Sequence, residues 1–284
     1  MKVQHFFETT TSTLSYIVWD ESTLDAVIID PVLDFDSVNL KFSEESIQEL
    51  LAFVQSKGLH VSHVLETHIH ADHVTGAARL RKILNAKLVV GSKVSLIQET
   101  FVKMLDLDTT LIHPEIFDVL LDDGEELQMG SLKVKALHTP GHTPACTSYL
   151  IEDALFTGDT LFMPDFGTGR CDFPNGSAET LFESVKQKVY TLPENTRIFV
   201  GHDYQPGGRE LAFETTVAQC KTSNIHIKSN TEISDFLDYR TKRDATLSLP
   251  KLLFQSVQLN IAAGEMPKPG PSGFAQLHIP IVEA

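Results

Sequence analysis

The chain has 284 residues, of which 42% are hydrophobic, and a formal net charge of -15. This length and composition suffice for a large buried core in one domain, or in one domain with an appendage. The acidic balance argues against nucleic acid and against an anionic membrane as a partner, because both require clustered lysine and arginine. No apolar run approaches the length of a membrane span.

The cysteines and the N-terminus bear on the compartment. Cys146, Cys171 and Cys220 have unrelated spacings, which gives neither a disulfide framework nor a cysteine-based zinc site. The first residues show no apolar stretch of a signal peptide and no arginine-rich leader. We therefore expect a cytoplasmic protein. The sequence does not determine the oligomeric state, for which a homodimer is the working expectation.

The first third of the chain alternates strands and helices. Strands are predicted at residues 2–7, 13–19 and 25–30. Residues 43–54 carry apolar positions at the helical period, with Ser43 as the predicted N-cap and Gly58 as the stop. The elements predicted next are a strand at 59–66, a helix at 74–84 and a strand at 87–90. This alternation favours an α/β layer.

The predicted secondary structure of the remaining residues changes twice along the chain. Residues 118–159 are predicted as hairpins, followed by a helix at 177–190 with a serine cap and a strand at 196–200. After Arg209 the pattern is mainly helical to about residue 262. A stretch rich in proline and glycine at 267–273 then predicts a loop before a short terminal strand.

A dense group of metal-capable side chains follows the strand predicted at 59–66. His68, His70, Asp72 and His73 fall within six consecutive positions. In an extended segment, residues two apart point the same way, so the first three are expected on one side and His73 on another unless the loop turns. Such a loop can hold one cation, or two side by side. The alternative for Asp72 is a role as N-cap of the next helix.

Three more candidates share one setting. A strand ends, and a glycine-containing turn presents His142, Asp159 or His202. Strand ends gathered at one sheet edge are where α/β proteins place their sites, although each residue alone could be part of an ordinary turn. Histidine and aspartate clusters mark metal or catalytic sites. The histidines without such a setting, which we interpret as structural, are His5, His60, His63, His113, His138, His226 and His278.

The motifs occur in the order HxHxDH, GHT, GD and GH. In this order they resemble the metallo-β-lactamase superfamily, whose fold is an αββα sandwich with the metal at one edge. The resemblance implies a metallo-β-lactamase-like α/β domain at residues 1–206. It also implies a mainly helical C-terminal extension at 207–284, packed on that domain and completing the fold.

Within the superfamily, the stretches Gly-Arg-Cys-Asp-Phe at 169–173 and Gly-His-Asp-Tyr at 201–204 resemble the persulfide dioxygenases more than glyoxalase II. This resemblance implies one Fe(II) per chain, held by His68, His142 and Asp159, and the oxidation of glutathione persulfide with O2 and water to sulfite and glutathione. Two imidazoles and one carboxylate form the facial triad of non-haem iron oxygenases. The residues that would orient these ligands, or bind a second metal, are His70, Asp72, His73 and His202.

An anionic substrate on an acidic protein requires a local basic pocket. Arg170 and Tyr204 lie inside the motifs and are predicted to bind substrate. Arg240 and Arg243, three positions apart on a predicted helix, are further candidates, with a solvated charged face as the alternative. Arg209 and Lys242 complete the set of available cations. The rival function is a glyoxalase II-type hydrolase with two zinc or iron ions, which would use the same fold edge and glutathione.

Overall fold

Sixteen strands form two large sheets and two short strand pairs in the computed structural model, which describes residues 1–108 and 112–281. In chain order the strands are β1 (Lys2–Glu8), β2 (Thr13–Trp19), β3 (Asp25–Ile29), β4 (Val32–Leu33), β5 (Phe35–Asp36), β6 (Lys41–Phe42), β7 (His60–Glu66), β8 (Val74–Thr75), β9 (Lys87–Gly91), β10 (Val119–Leu121), β11 (Glu126–Met129), β12 (Leu132–His138), β13 (Thr147–Ile151), β14 (Ala154–Phe156), β15 (Arg197–Phe199) and β16 (Glu214–Thr216).

The described residues also form seven α-helices outside the sheets. They are α1 (Glu45–Lys57), α2 (Ala77–Leu84), α3 (Val94–Met104), α4 (Ala178–Ser184), α5 (Val217–Ser223), α6 (Ile233–Asp244) and α7 (Leu253–Asn260). A π-helical turn, Val185–Val189, extends α4. The side chain of Ser177 caps α4 by accepting a hydrogen bond from the Thr180 N–H at 3.2 Å, as the sequence predicted.

The first sheet has the order β1-β2-β3-β7-β9-β10, antiparallel at first and parallel from β3 onward. The second sheet keeps the chain order from β11 to β16. Its strands pair antiparallel except β14 and β15, which pair parallel. Consequently β12, β14 and β15 point the same way, and their carboxyl ends lie at one edge of the sheet.

Alternating side chains on the first sheet separate two buried layers. Leu14, Tyr16 and Val18 of β2 pack in the cluster shared with the second sheet, whereas Ile17 packs in the cluster shared with α1, α2, α3 and α7. This period of two buries both faces of the sheet. On the far side of the second sheet, Leu181 of α4 joins the first cluster. The layers are therefore helix, sheet, sheet and helix, and the predicted αββα sandwich is confirmed.

The starts of two helices differ from the prediction because tertiary contacts determine where these helices begin. The N-cap of α1 is Glu44, not Ser43, and the Asp34 carboxylate accepts the Ser46 N–H of the first turn at 2.9 Å in place of a capping side chain. Gly58, with φ of 65°, ends α1 as predicted. The helix predicted from residue 74 begins three residues later, after β8 pairs with β4, and Gly76 is its N-cap. Asp72 is therefore not the cap of this helix.

The C-terminal segment, residues 207–281 of the described structure, contacts both outer layers of the sandwich. It adds β16 to the second sheet, which the sequence did not predict, and Phe236 of α6 packs in the core beneath that sheet. Leu253 and Val257 of α7 pack on the opposite side, against the first sheet. Residues 274–281 contain no strand, so the predicted terminal strand is absent there, and 282–284 lie outside the described residues. Among described helices, none has both the length and the apolarity to cross a bilayer.

Candidate metal centre

Strand ends at one edge of the sandwich carry all seven predicted ligand residues. The loop after β7 carries four of them, and single residues follow β12, β14 and β15 in the second sheet. The residues in chain order are His68, His70, Asp72, His73, His142, Asp159 and His202. All five histidines are buried, and Asp159 is only 9% exposed.

The loop at 67–73 is bent, not extended. Asn260 of α7 donates hydrogen bonds of 2.8 Å to the carbonyls of His70 and His73, which hold the loop in this shape. As a result His73 joins His70 and Asp72, whereas His68 faces a different group of residues. The expectation that His68, His70 and Asp72 share one side is wrong, because it assumed an extended segment.

His68, His142 and Asp159, here called the first donor set, converge from three separate parts of the chain. One ligand atom from each lies within 4.8 Å of the others. The His142 Nε2 atom is 3.6 Å from Asp159 Oδ2, and the rings of His68 and His142 are 5.1 Å apart. This spacing allows all three to bind one cation.

His70, Asp72, His73 and His202 form the second donor set, again with ligand atoms within 4.8 Å of one another. The His202 Nε2 atom lies 3.3 Å from Asp72 Oδ2 and 3.4 Å from Asp159 Oδ1. Asp159 therefore contacts the second set with one oxygen and His142 with the other. Such a carboxylate is placed to be shared between two cations.

Hydrogen bonds fix the tautomers of the first donor set. His142 Nδ1 lies 2.8 Å from the carbonyl of Arg170, which can only accept, so Nδ1 carries the proton. Thr67 donates its hydroxyl proton to Asp30 at 2.7 Å and therefore accepts from His68 Nδ1 at 3.0 Å. Both imidazoles thus keep an Nε2 lone pair for a ligand. Partners of this kind orient metal-binding histidines.

His70 has the opposite tautomer. Its Nε2 atom lies 3.1 Å from Asp30 and 3.2 Å from Glu66, two buried carboxyl groups. Burial alone would lower the pKa of His70, but these acids raise it well above its usual value. Burial raises the pKa of Glu66, and His70 only partly offsets this. The remaining nitrogen of His70, Nδ1, belongs to the second donor set and has no hydrogen-bond partner.

Burial and neighbouring groups shift the pKa values of the histidines and of Asp72 within the cluster. Burial and neighbouring imidazoles lower the pKa of His68 well below its usual value, so the ring is neutral. Burial would raise the pKa of Asp72, but His202 and His73 outweigh it and hold the pKa well below its ordinary range. The neutral imidazole of His68 beside the ionised Asp72 is the combination that binds a cation. Burial would lower the pKa of His202, but Asp72 and Asp159 raise it, so His202, like His70, would release a proton when a cation binds.

Unpartnered buried atoms show that these residues fit a metal. Buried side-chain nitrogen and oxygen atoms nearly always have a hydrogen-bond partner. Six cluster atoms have no such partner among residues 1–108 and 112–281, namely His68 Nε2, His70 Nδ1, Asp72 Oδ2, His73 Nε2, Asp159 Oδ1 and His202 Nε2. They belong to both donor sets, and one or two bound cations would satisfy them. Histidine and carboxylate donors without thiolate suit iron or a catalytic zinc.

A cavity of about 480 Å³ opens onto Asp72, His142 and Asp159, and two predicted substrate-binding residues line it. Arg170 has its guanidinium held by Asp172 with two bonds of 2.6 Å and by the Ser248 carbonyl at 2.8 Å. Tyr204 is 44% exposed, and its ring stacks on that of His202 at 5.6 Å. Tyr204 is therefore accessible to a ligand, whereas three of the five N–H donors of Arg170 already bind Asp172 and Ser248.

Lys251, which the sequence analysis did not select, lines the same cavity and is exposed. It forms no ion pair with any described residue. Nothing in its local sequence, between Pro250 and Leu252, distinguishes it from an ordinary surface lysine. Its importance depends on the chain path that brings it beside the donor sets.

A second cavity of about 410 Å³ shares Asp159, Arg170 and Tyr204 with the first, and Arg240 and Arg243 line it. The two arginines differ in setting although both lie on α6. Arg240 is 3% exposed, and its guanidinium pairs with Asp244 and donates to the Thr168 carbonyl at 3.4 Å. Arg243 is exposed and, among the described residues, donates only to Thr246, at 3.3 Å. Arg243 thus remains available to an anionic ligand, and Arg240 is engaged within the protein.

The other two cations considered are paired elsewhere. Arg209 binds Asp165 and Asp203, and Lys242 binds Asp238 at 2.6 Å on the surface of α6. Neither lines the two cavities beside the donor sets. The three cysteines are buried thiols, and burial raises the pKa of Cys171 to about 12, so its thiol is not a nucleophile at neutral pH.

The αββα sandwich and the histidine and aspartate cluster at its edge define a metal-binding protein of this fold. The family model described as the metallo-beta-lactamase superfamily matches residues 9–202. The chain belongs to this superfamily.

Relatives with two kinds of name resemble the chain. Glyoxylase B2 of Dictyostelium discoideum is 44% identical and covers 99% of this chain and 97% of its own length. The mitochondrial persulfide dioxygenase ETHE1 of Bos taurus is 34% identical over 71% of this chain and 68% of its own length. The crystal structure of ETHE1 from Myxococcus xanthus superposes with a TM-score of 0.75 at 32% identity, covering 93% of this chain and 100% of that one.

Proposed function

We propose that the protein is a non-haem Fe(II) persulfide dioxygenase that oxidises glutathione persulfide with O2 and water to sulfite and glutathione. The observation that carries this proposal is the first donor set, in which His68, His142 and Asp159 offer two imidazoles and one carboxylate within 4.8 Å. This is the ligand set of the facial-triad iron oxygenases. Similarity to persulfide dioxygenase ETHE1 over 71% of the chain supports the same reaction.

An Fe(II) ion held by His68, His142 and Asp159 would supply the redox chemistry with O2 and bind the persulfide sulfur. The protein contributes the orientation of the ligands. The Arg170 carbonyl fixes His142, and Thr67 with Asp30 fixes His68, so the Nε2 lone pairs are directed before any metal arrives. Burial of the histidines keeps bulk water away from the ligand atoms.

Substrate binding is assigned to the two cavities that meet at Asp159. Glutathione carries two carboxylates, and each cavity offers one cation without an acidic partner in the described structure, Lys251 in the first and Arg243 in the second. A persulfide sulfur placed beside Asp159 would let the rest of the ligand extend over the exposed ring of Tyr204 toward these cations. The acidic protein would thereby attract an anion through local charge.

A glyoxalase II-type hydrolase is the second candidate, and a specific observation favours it. The second donor set is complete, its atoms lack other partners, and Asp159 contacts both sets. Two bound metals would activate a water molecule for attack on a thioester carbonyl. The similarity to Glyoxylase B2 covers 99% of the chain.

Oxygen uptake separates the two functions. The iron-loaded protein would be assayed with glutathione persulfide in an oxygen electrode and, in parallel, for hydrolysis of a lactoyl thioester of glutathione. We expect oxygen uptake with sulfite formation and no thioester hydrolysis. Hydrolysis without oxygen uptake would establish the hydrolase instead.

The two donor sets also respond differently to substitution under this proposal. His142→Ala removes a ligand of the first set and is expected to lose both iron and oxygen uptake. His202→Ala removes a residue of the second set only and is expected to keep most of its iron. Iron per chain, measured by elemental analysis after purification, distinguishes these outcomes. An iron-free His202→Ala protein would contradict the assignment of one iron to the first donor set.

A further inference from the structure

The turn of the β1–β2 hairpin reaches the second donor set. Glu8 and Thr13 are the last paired residues of this hairpin, and Thr13 also bridges to His202. The turn residue Thr11 lines the first cavity together with Asp72. Thr13 is 1% exposed, so its hydroxyl faces only protein groups. Three residues near the N-terminus are thus placed between the cluster and the surface.

A continuous hydrogen-bond chain connects these residues to two histidines. Thr11 Oγ1 lies 2.6 Å from the Glu8 carboxylate and 2.7 Å from Thr13 Oγ1. Thr13 Oγ1 in turn lies 3.3 Å from His73 Nδ1 and 3.4 Å from His202 Nδ1. One hydroxyl group therefore faces the same nitrogen of both imidazoles.

The donor-to-acceptor direction of these hydrogen bonds is set by the Glu8 carboxylate at one end. A carboxylate only accepts hydrogen bonds, so Thr11 donates its single hydroxyl proton to Glu8. Thr11 then accepts from Thr13, and Thr13 has only its lone pairs left for His73 and His202. Burial alone would raise the pKa of Glu8, but hydrogen bonds from Thr11 and Thr10 outweigh it and lower the pKa, so Glu8 is ionised at neutral pH.

The other groups near the Nδ1 atoms of His73 and His202 are also hydrogen-bond acceptors. The Ser12 carbonyl lies 3.3 Å from His202 Nδ1, and Asp72 Oδ1 lies 3.5 Å from His73 Nδ1. The surroundings of both Nδ1 atoms therefore favour an N–H there. The Nε2 atom of His73 is buried without a hydrogen-bond partner among the described residues. The Nε2 atom of His202 faces the carboxylates of Asp72 and Asp159 at 3.3 and 3.4 Å, the groups with which it would share a cation.

We propose that the chain Glu8–Thr11–Thr13 is a positioning device that holds His73 and His202 as Nδ1–H tautomers and so directs both Nε2 lone pairs into the second donor set. The three residues bind no metal and touch no substrate sulfur in this role. The proposal holds whether the second donor set binds a metal in a hydrolase or orients ligands in a dioxygenase. It extends the functional site to the first hairpin of the chain.

The test uses three variants of the full chain. Thr13→Val keeps the shape of the side chain and removes the hydroxyl, and Thr13→Ser keeps the hydroxyl. Thr9→Val makes the same change on an exposed threonine of the same turn and serves as the control. Long-range proton–nitrogen NMR spectra of the metal-free protein report which imidazole nitrogen carries the proton in each histidine.

We expect Nδ1–H for His73 and His202 in the unchanged protein, in Thr13→Ser and in Thr9→Val. In Thr13→Val we expect a population of the Nε2–H tautomer at His73, while His68 and His142 keep their signals as evidence of an intact fold. Absence of a proton on Nδ1 of both histidines in the unchanged protein would overturn the proposal. An unchanged histidine spectrum in Thr13→Val would overturn it too.

Zinc titration of the same samples measures the consequence for metal binding. Loss of an outer partner of a ligating histidine weakens metal binding by roughly 10-fold or more. The zinc concentration at which the His73 and His202 signals shift is therefore expected to rise about 10-fold in Thr13→Val. Equal midpoints for Thr13→Val and Thr9→Val, or no response of these signals to zinc, would contradict the positioning role.

Glu8→Gln tests the direction of the chain. An amide can donate to Thr11, which would free the Thr11 proton to point toward Thr13 and reverse the sequence of donors. We expect the Nε2–H tautomer of His73 to appear in Glu8→Gln as well, although Glu8 lies two hydroxyl groups away from the ring. An unaltered spectrum in this variant would show that Glu8 does not set the direction.

Discussion

Lys251 and Arg243 face the two cavities beside the donor sets as exposed side chains. Most other cations near the cluster are held by acids, as Arg170 is by Asp172. The protein has a net charge of -15, so an anionic ligand requires a local positive charge. A cation without an acidic partner can bind such a ligand without breaking an existing ion pair. Substrate recognition at the residue scale is therefore expected to depend on these two side chains.

Neutralising these cations is expected to weaken substrate binding without affecting the metal. Lys251→Met and Arg243→Met should each raise the KM for glutathione persulfide by about 10-fold, because a charge-assisted hydrogen bond contributes roughly 1.5 kcal/mol. Lys242→Met is the control, since Lys242 lies on the same helix as Arg243 but pairs with Asp238. Steady-state oxygen uptake and iron content provide the measurements. A KM shift in the control equal to that in Arg243→Met would refute a specific role.

Helix α6 supports His142, a candidate metal ligand that it does not touch. Asp244 near its end accepts the Cys171 N–H at 2.9 Å and pairs with Arg240, which donates to the Thr168 carbonyl. These contacts hold the loop 168–171, whose Arg170 carbonyl fixes His142. The C-terminal extension therefore sets the orientation of a ligand in the first donor set through two successive contacts.

Replacing one partner of the buried Arg240–Asp244 ion pair is expected to lower the free energy of unfolding. Asp244→Asn leaves Arg240 as an uncompensated buried charge, and the free energy of unfolding should fall by about 3 kcal/mol. Asp238→Asn changes an exposed pair on the same helix and should change it by less than about 1 kcal/mol. Denaturant unfolding of both proteins provides the comparison. Faster loss of iron to a chelator from Asp244→Asn alone would show that the loop orients His142, and equal rates would argue against it.

At the scale of the whole molecule, the C-terminal segment is part of both halves of the sandwich. It adds β16 to the second sheet, packs α7 against the first sheet, and places Asn260 on the ligand loop. The division into 1–206 and 207–284 remains a prediction from the resemblance. In the structure, the two parts share a core and a site.

A protein limited to residues 1–206 is therefore expected not to fold as a unit. It would expose the outer face of the first sheet where α7 packs, and it would lack the hydrogen bonds from Asn260 to the loop. We expect no cooperative thermal transition and no stoichiometric iron binding, measured by circular dichroism and elemental analysis. A cooperatively folded, iron-binding fragment would show that the extension is dispensable.

Local sequence patterns were sufficient for the elements whose partners are close along the chain. Short runs bounded by turns predicted β1 and β2 closely, and a serine before a helical run predicted the cap of α4. The candidate ligand residues were recognisable because four of them lie close together after one strand and three follow strand ends in glycine-containing turns. These signals are contained within a few consecutive residues.

The errors arose where distant residues determine local structure. Val74 and Thr75 fit a helix by pattern, but pairing with β4 made them a strand. The ligand loop was treated as extended because Asn260, which bends it, lies 190 residues from His70. Arg240 could be named as a candidate cation, but its pairing with Asp244 beneath a loop is a property of the folded chain.

The position of Asn260 also bears on how the protein acquires its metal during synthesis. Translation proceeds from the N-terminus, and early segments begin to fold before later ones emerge. The loop bearing His70 emerges 190 residues ahead of the amide that shapes it, so a nascent chain on the ribosome presents its histidines without their final arrangement. The arrangement of donors that selects a cation is therefore complete only after Asn260 has emerged and joined the loop.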